Sequence, residues 1–219
     1  MGRHFTSIAL YLSAITKADI SSVERGYPYR DPPLTDLGTR QAKHVQRSIK
    51  VQPDLIIVSP MTRTIQTAYI VFGHLLKNNK TEIEVWPDLR ESHDAICNKG
   101  ISRANLATKF PDLDFSACPK EWDFPAHTPD DAAVRAERVR RRLKEAAMSG
   151  GYRDILLVTH RGFAAFLAQG ERFKVCEHRS YRFAGDNEVE KERYGINIDT
   201  GLKQDFGPTL LMLRGEADG

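Results

Sequence analysis

Residues 54–63 read Asp54-Leu55-Ile56-Ile57-Val58-Ser59-Pro60-Met61-Thr62-Arg63. The apolar core of this stretch is four residues long, too short for a helix and rich in β-branched side chains. It reads as a strand buried on both faces. Ser59 can cap a helix and Pro60 suits a first turn, so a helix is expected to open here and run to about Leu76. The same layout recurs downstream. Residues 154–158 (DILLV) form another apolar run, followed by Thr159-His160-Arg161-Gly162 and a helix through Leu167. Upstream, residues 6–12 (TSIALYL) read as a third buried strand.

The segments between complete an alternating pattern. Thr35 is a good N-cap for a helix over 36–49, with Asp36 in its first turn and Leu37, Ala42, Val45 and Ile49 near helical spacing. Residues 83–86 suggest a short strand. Residues 129–148 suggest a long helix closed by Gly150-Gly151. Residues 179–183 and 209–213 are further strand candidates. Strands alternating with helices imply an α/β protein: a three-layer α/β/α sandwich around a mostly parallel sheet. The whole of 1–219 is expected to be a single domain. Residues 88–127 contain Pro111, Pro119 and Pro125 and one short helix candidate at 102–109, so they read as an inserted, loop-rich cap. Residues 185–207 are polar and read as a long surface loop.

Composition bounds the possible partners. The 219 residues are 41% hydrophobic and 28% charged, with a formal net charge of +3. Arg135, Arg138, Arg140, Arg141 and Arg142 fall on one predicted helix and read as a solvated face rather than a nucleic-acid patch. Three cysteines, Cys97, Cys118 and Cys176, are too few and too scattered for a disulfide framework and suit a reducing, cytoplasmic setting. No secretory signal or membrane-spanning run is apparent. No metal site, cofactor motif or glycine-rich nucleotide loop is apparent either. The expected partner is a small-molecule substrate.

In parallel α/β sheets, ligands bind beyond the carboxyl ends of the strands. That rule singles out Ser13 after the first strand, Ser59 to Arg63 after the second, and Thr159, His160 and Arg161 after the later one.

These strand ends resemble the histidine phosphatase superfamily, the phosphoglycerate-mutase-like clan. Asp31-Pro32-Pro33-Leu34-Thr35-Asp36-Leu37-Gly38, with Gln41-Ala42, is similar to its D-x-P-L-T-x-x-G-x-x-Q-A segment. Ser59-Pro60-Met61-Thr62-Arg63 with Gln66-Thr67-Ala68 resembles its S-P-L-x-R-x-x-Q-T-A segment. Leu89-Arg90-Glu91 resembles the segment carrying the family's acid, and Val158-Thr159-His160 with Gly162-Phe163 its second-histidine segment. Residues 177–183 (EHRSYRF) are like the C-terminal segment of fungal members. The resemblance implies Arg63 as a phosphate-binding arginine, His160 as the second histidine and Glu91 as the proton donor.

One motif departs from the pattern. The family's first strand leads into Arg-His, with the histidine as nucleophile. Here it leads into Leu12-Ser13-Ala14, and the Arg3-His4 pair precedes the strand instead of ending it. A phosphate-binding asparagine of the family falls at or near Asp19, where a carboxylate would repel a phosphate dianion. The place after the second histidine, commonly small, holds Arg161.

From this departure the sequence predicts an enzyme that does not use a phosphohistidine. The expected chemistry is acid/base work on a small organic substrate, of isomerase, cyclase or lyase type. His160, Glu91 and Asp19 would move protons, while Arg63, Ser13, Arg161 and Leu12 would line the substrate. Two alternatives are an inactive pseudophosphatase serving as a binding or scaffold subunit, and a Ser-His-acid hydrolase built on Ser13 and His160.

Overall fold

The computed structural model describes residues 7–12, 29–77, 81–123, 127–149, 151–174 and 176–215. Its six-stranded sheet is assembled from β1 (Ser7–Leu12), β2 (Leu55–Val58), β3 (Glu82–Val85), β4 (Asp154–Thr159), β5 (His178–Phe183) and β8 (Leu211–Leu213). The order is β3-β2-β4-β1-β5-β8. The first four run parallel, and β5 and β8 add antiparallel pairings at one edge.

Alternation along the strands creates the three layers. In β2, Leu55 and Ile57 point to one face and Ile56 and Val58 to the other. In β4, Ile155 and Leu157 oppose Leu156 and Val158. All eight are buried, which is why both runs read as continuously apolar. The first face is covered by α4 (Pro129–Ser149) and α5 (Arg161–Leu167). It packs Ala132, Ala136, Val139 and Leu143 of α4 with Phe163 and Phe166 of α5. The second face is covered by α1 (Asp36–Ser48) and α2 (Thr62–Leu76), through Ala42, Val45, Ile65, Ala68 and Phe72. The α/β sandwich expected from the sequence is the fold observed.

Local signals held to different degrees. Thr35 caps α1 by accepting from the Gly38 amide at 3.1 Å, while Leu37 stays exposed. Residues 87–123 contain the turns Pro87–Leu89 and Ile96–Asn98 and the helix α3 (Arg103–Lys109), capped by Ser102. Leu106, Phe110, Leu113, Phe115, Cys118 and Trp122 tie this segment into the α2 side of the core.

Three expectations need correction. The helix after β2 opens at Thr62, not at Ser59-Pro60. Its first amide is taken by Asp31, which accepts from the Thr62 amide at 2.7 Å and the Thr62 hydroxyl at 2.6 Å. With a distant carboxylate capping the helix, Ser59 and Pro60 stay outside it. Residues 185–207 are not a loop: they form α6 (Asp186–Glu192) and a hairpin of β6 (Tyr194–Ile196) and β7 (Lys203–Asp205). The short period of that hairpin is masked by Gly, Asn, Asp and Thr at its turn.

The arginine run is the third. Arg138, Arg141 and Arg142 are exposed, but Arg135 and Arg140 are fully buried. Both flank the apolar stripe of α4. Arg140 donates to the carbonyls of Phe166 and Leu167 at the end of α5, at 2.7 and 3.1 Å. A side chain with five donors can satisfy buried carbonyls that an apolar residue would leave bare.

Candidate active site

Parallel register brings the strand ends to one edge. Val58 lies opposite Val158, and Leu12 opposite Thr159. The next residues, Ser59 and His160, therefore emerge together. The Ser59 amide donates to the Val158 carbonyl at 3.0 Å.

His160 is buried at the N-cap position of α5. Its Nδ1 lies 3.2 Å from Nη2 of Arg63 and its Nε2 lies 2.9 Å from the Ser59 hydroxyl. A guanidinium can only donate, so Nδ1 accepts and the ring proton sits on Nε2, donating to Ser59. Burial, with the charges of Arg63 and Arg135 behind it, holds the imidazole well below its ordinary pKa. His160 is neutral at pH 7.

Arg63 comes from the first turn of α2 and is 1% exposed. Nη1 donates to the Cys97 carbonyl and Nη2 to the Asn98 side-chain oxygen, each at 3.0 Å. Its Nε has no acceptor among the described residues. Burial lowers its pKa, opposed by the fields of Glu91 and Asp31, but a guanidinium stays charged at neutral pH. Among the described residues, no carboxylate bonds to it.

Glu91 is buried where the chain leaves the turn Pro87–Leu89. Its Oε1 accepts from the amides of Ser92 (2.8 Å) and Phe163 (2.9 Å) and from the Ser92 hydroxyl (3.2 Å). The Phe163 amide is one of the free donors of the first turn of α5, so Glu91 caps that helix. Gly162 makes the approach possible. A Cβ there would come within 3.0 Å of Glu91 Oε1, Ser92 Oγ and His93 Nδ1.

Of the seven predicted site residues, Arg63, Glu91 and His160 converge around the start of α5. Arg161 is the first residue of α5 and half-buried. Leu12 closes β1 beside Thr159. Ser13 and Asp19 lie outside the described residues. His93, near Glu91 in sequence, is half-exposed and pairs with Asp199 at 3.1 Å, which raises its pKa. Trp86 and Trp122 are core residues.

Sequence reasoning placed Ser59 among the strand-end residues without giving it a role, and singled out neither Asn98 nor Asp31 for the site. Asn98 bridges the site: its oxygen accepts from Arg63 while its nitrogen donates to the His93 carbonyl at 3.0 Å. Nothing in the pattern of residues 88–127 marks it. Ser59 does occupy the place after β2 that Thr159 occupies after β4, and that parallel was the available signal. Among the described residues, no cluster of His, Cys, Asp or Glu could hold a metal ion, and no helix is long and apolar enough to cross a membrane.

Comparison with known proteins adds the chain's relations. Residues 21–187 match the histidine phosphatase superfamily (branch 1), beginning after β1. A Schizosaccharomyces pombe protein named "probable phosphatase" is 36% identical over 98 residues, covering 43% of this chain and 45% of the relative. The alignment thus spans less than half of that protein. Among solved structures, a mycobacterial glucosyl-3-phosphoglycerate phosphatase superposes with a TM-score of 0.56 at 16% identity, covering 95% of this chain and 97% of the other. An alpha-ribazole phosphatase from Shigella flexneri gives 0.53 at 18% identity, covering 91% and 94%. At such identities these structures speak for the fold.

The names correct the functional expectation. The similar proteins are phosphatases, not isomerases, cyclases or lyases, and the exclusion of phosphohistidine-dependent phosphatase chemistry falls with it. The Ser-His-acid alternative rests on Ser13, which lies outside the described residues, and on His160, whose surroundings do not suit a triad base. A triad base needs a free lone pair toward its serine and a carboxylate on its other nitrogen. His160 presents a proton to Ser59 and faces the cation of Arg63. The chain belongs to the histidine phosphatase superfamily.

Proposed function

We propose that this protein is a phosphatase that hydrolyses monoesters of phosphate at the site built from Arg63, His160 and Glu91. One observation carries the reading. Among the described residues, Arg63 is a buried cation whose Nε is unpartnered and to which no carboxylate bonds. A buried charge needs a counter-charge. Here that is the anion of the substrate, and a guanidinium fork suits phosphoryl oxygens. β1 leads into Leu12-Ser13 rather than Arg-His, so of the arginines at the strand ends Arg63 is the buried one, with Arg161 half-buried beside His160.

The other two groups complete the chemistry. His160, neutral and carrying its proton on Nε2, donates a hydrogen bond to a phosphoryl oxygen once Ser59 yields. The three donors on Glu91 converge on Oε1, so a proton carried by this carboxyl sits on Oε2. From there it passes to the leaving oxygen as the P–O bond breaks, while water supplies, directly or through a covalent intermediate, the oxygen that replaces it on phosphorus. Residues 88–127 act as the cap over a single domain, and through Cys97 and Asn98 they hold Arg63 from the substrate side. The substrate is a small phosphorylated molecule. The three free cysteines, Cys97, Cys118 and Cys176, suit a cytoplasmic setting.

The test is release of phosphate from p-nitrophenyl phosphate and from an alkyl phosphate. Arg63→Met is expected to lower kcat/KM by roughly 10²–10³. Quenching turnover in acid and in alkali classifies any covalent intermediate, since a phosphoramidate is lost in acid and a serine phosphate in alkali. Absence of phosphate release from both esters, together with no binding of vanadate, overturns the reading.

A further inference from the structure

Arg135 is fully buried on α4, and its bonds run in one direction. Nη1 donates to the carbonyls of Asp88 at 2.8 Å and Arg90 at 2.9 Å, and Nη2 to the carbonyl of Glu91 at 3.3 Å. Nε is anchored on the Asp131 carboxylate at 2.7 Å, which Arg90 also binds at 2.9 Å. The flat guanidinium sits over the ring of Phe163, 4.5 Å from its centroid. Phe163 is the residue whose amide donates to Glu91 Oε1. One side chain therefore grips both ends of the bond that orients Glu91: the backbone of the acid at one end, and the ring of the donor residue at the other.

Stability alone does not call for this arrangement. Taking a guanidinium out of water is costly, and apolar replacements for buried ionic groups are frequently neutral or stabilising. What an apolar side chain cannot do is hold three carbonyls of one turn in register while stacking on a ring. The planar fork of arginine does both, and a lysine supplies only a point charge.

We propose that Arg135 is a positioning residue for Glu91, fixing the turn and the helix start between which the carboxyl is suspended. This rests on the reading of Glu91 as the acid. A displaced acid matters when the leaving oxygen is a strong base and hardly at all when it leaves unaided. The defect must therefore depend on the leaving group, whereas a general loss of structure would not.

Folded Arg135→Met is expected to lose about 100-fold in kcat on an alkyl phosphate and less than about threefold on p-nitrophenyl phosphate, with KM little changed. Arg135→Lys should recover only part of the loss. Equal losses on the two esters, or none on either, overturn the proposal. Should Arg135→Met not fold, Asp131→Ala frees the Nε anchor from a partly exposed position, and must show the same bias at about fivefold. Glu91→Gln separates the two readings. If it shows no leaving-group bias, the role of Glu91 fails. Positioning is then read from hydrogen exchange of the Phe163 amide, expected to quicken about tenfold in Arg135→Met. An unchanged amide overturns it.

Discussion

Arg63 and His160 stand 97 residues apart in sequence, and Nη2 of one donates to Nδ1 of the other at 3.2 Å. A permanent cation thus occupies the lone pair of a buried imidazole. This contact sets the tautomer of His160 and, added to burial, holds the ring uncharged.

Anion binding should therefore draw a proton into the site. Burial depresses the pKa of His160 most, and an oxyanion beside it offsets the fields of Arg63 and Arg135 that add to the depression. Calorimetric titration with tungstate, which carries no titration of its own near pH 7, is expected to show proton uptake in buffers of differing ionisation enthalpy. His160→Gln should abolish it. Without ligand, the folded state binds this proton less readily than the unfolded chain. Stability from this group is then full above about pH 6.5 and declines as pH falls toward the folded value. His160→Gln flattens that acid limb in thermal melts.

Gly162→Ala should damage both fold and site. The added methyl meets Glu91, Ser92 and His93 on one side of the first turn of α5. Overpacking of this kind costs about 1–3 kcal/mol. Activity on an alkyl phosphate should drop further than stability alone explains, because Glu91 is the side chain displaced. A variant with wild-type melting temperature and turnover contradicts the packing described.

Asp31 offers a contrast between its hydrogen bonds and its charge. Burial raises its pKa, against the lowering by the Thr62 bonds. The folded state takes up this proton more readily than the unfolded chain, so ionisation subtracts from stability as pH rises through the folded value. Asp31→Ala, which uncaps α2, should cost about 1–2 kcal/mol. Asp31→Asn keeps an acceptor for the Thr62 amide without the charge, and should lose much less at pH 7. Denaturant melts of the two variants decide it; equal losses would mean that the charge itself holds the helix start.

Neighbouring arginines on α4 should behave oppositely. Arg140→Ala strips buried carbonyls of Phe166 and Leu167 and leaves Glu137 without its closest cation. The expected loss is about 3–5 kcal/mol. Arg141 is 64% exposed and 3.6 Å from Glu137. Its replacement by Ala should change stability by less than about 0.5 kcal/mol. Similar melting temperatures for the two variants would contradict the burial pattern of the helix.

By itself, the sequence determined the layers and the location of the site. The apolar runs at 54–58 and 154–158 admit only strands covered on both faces, and ligand sites of such sheets lie beyond the strand ends. Arg63 and His160 were legible for that reason, and Glu91 through the family's motif. Tertiary structure decided the surroundings and state of those residues. A helical period cannot distinguish Arg140 from Arg141, because burial of a guanidinium depends on carbonyls that another helix brings near. The start of α2 is set by Asp31, whose carboxylate reaches it only in the folded chain. The state of His160 likewise follows from a cation 97 residues away, which fixes its proton on Nε2. Periodicity and spacing are local quantities, whereas protonation, capping by distant groups and burial of charge depend on fields and donors that meet only when the chain has folded.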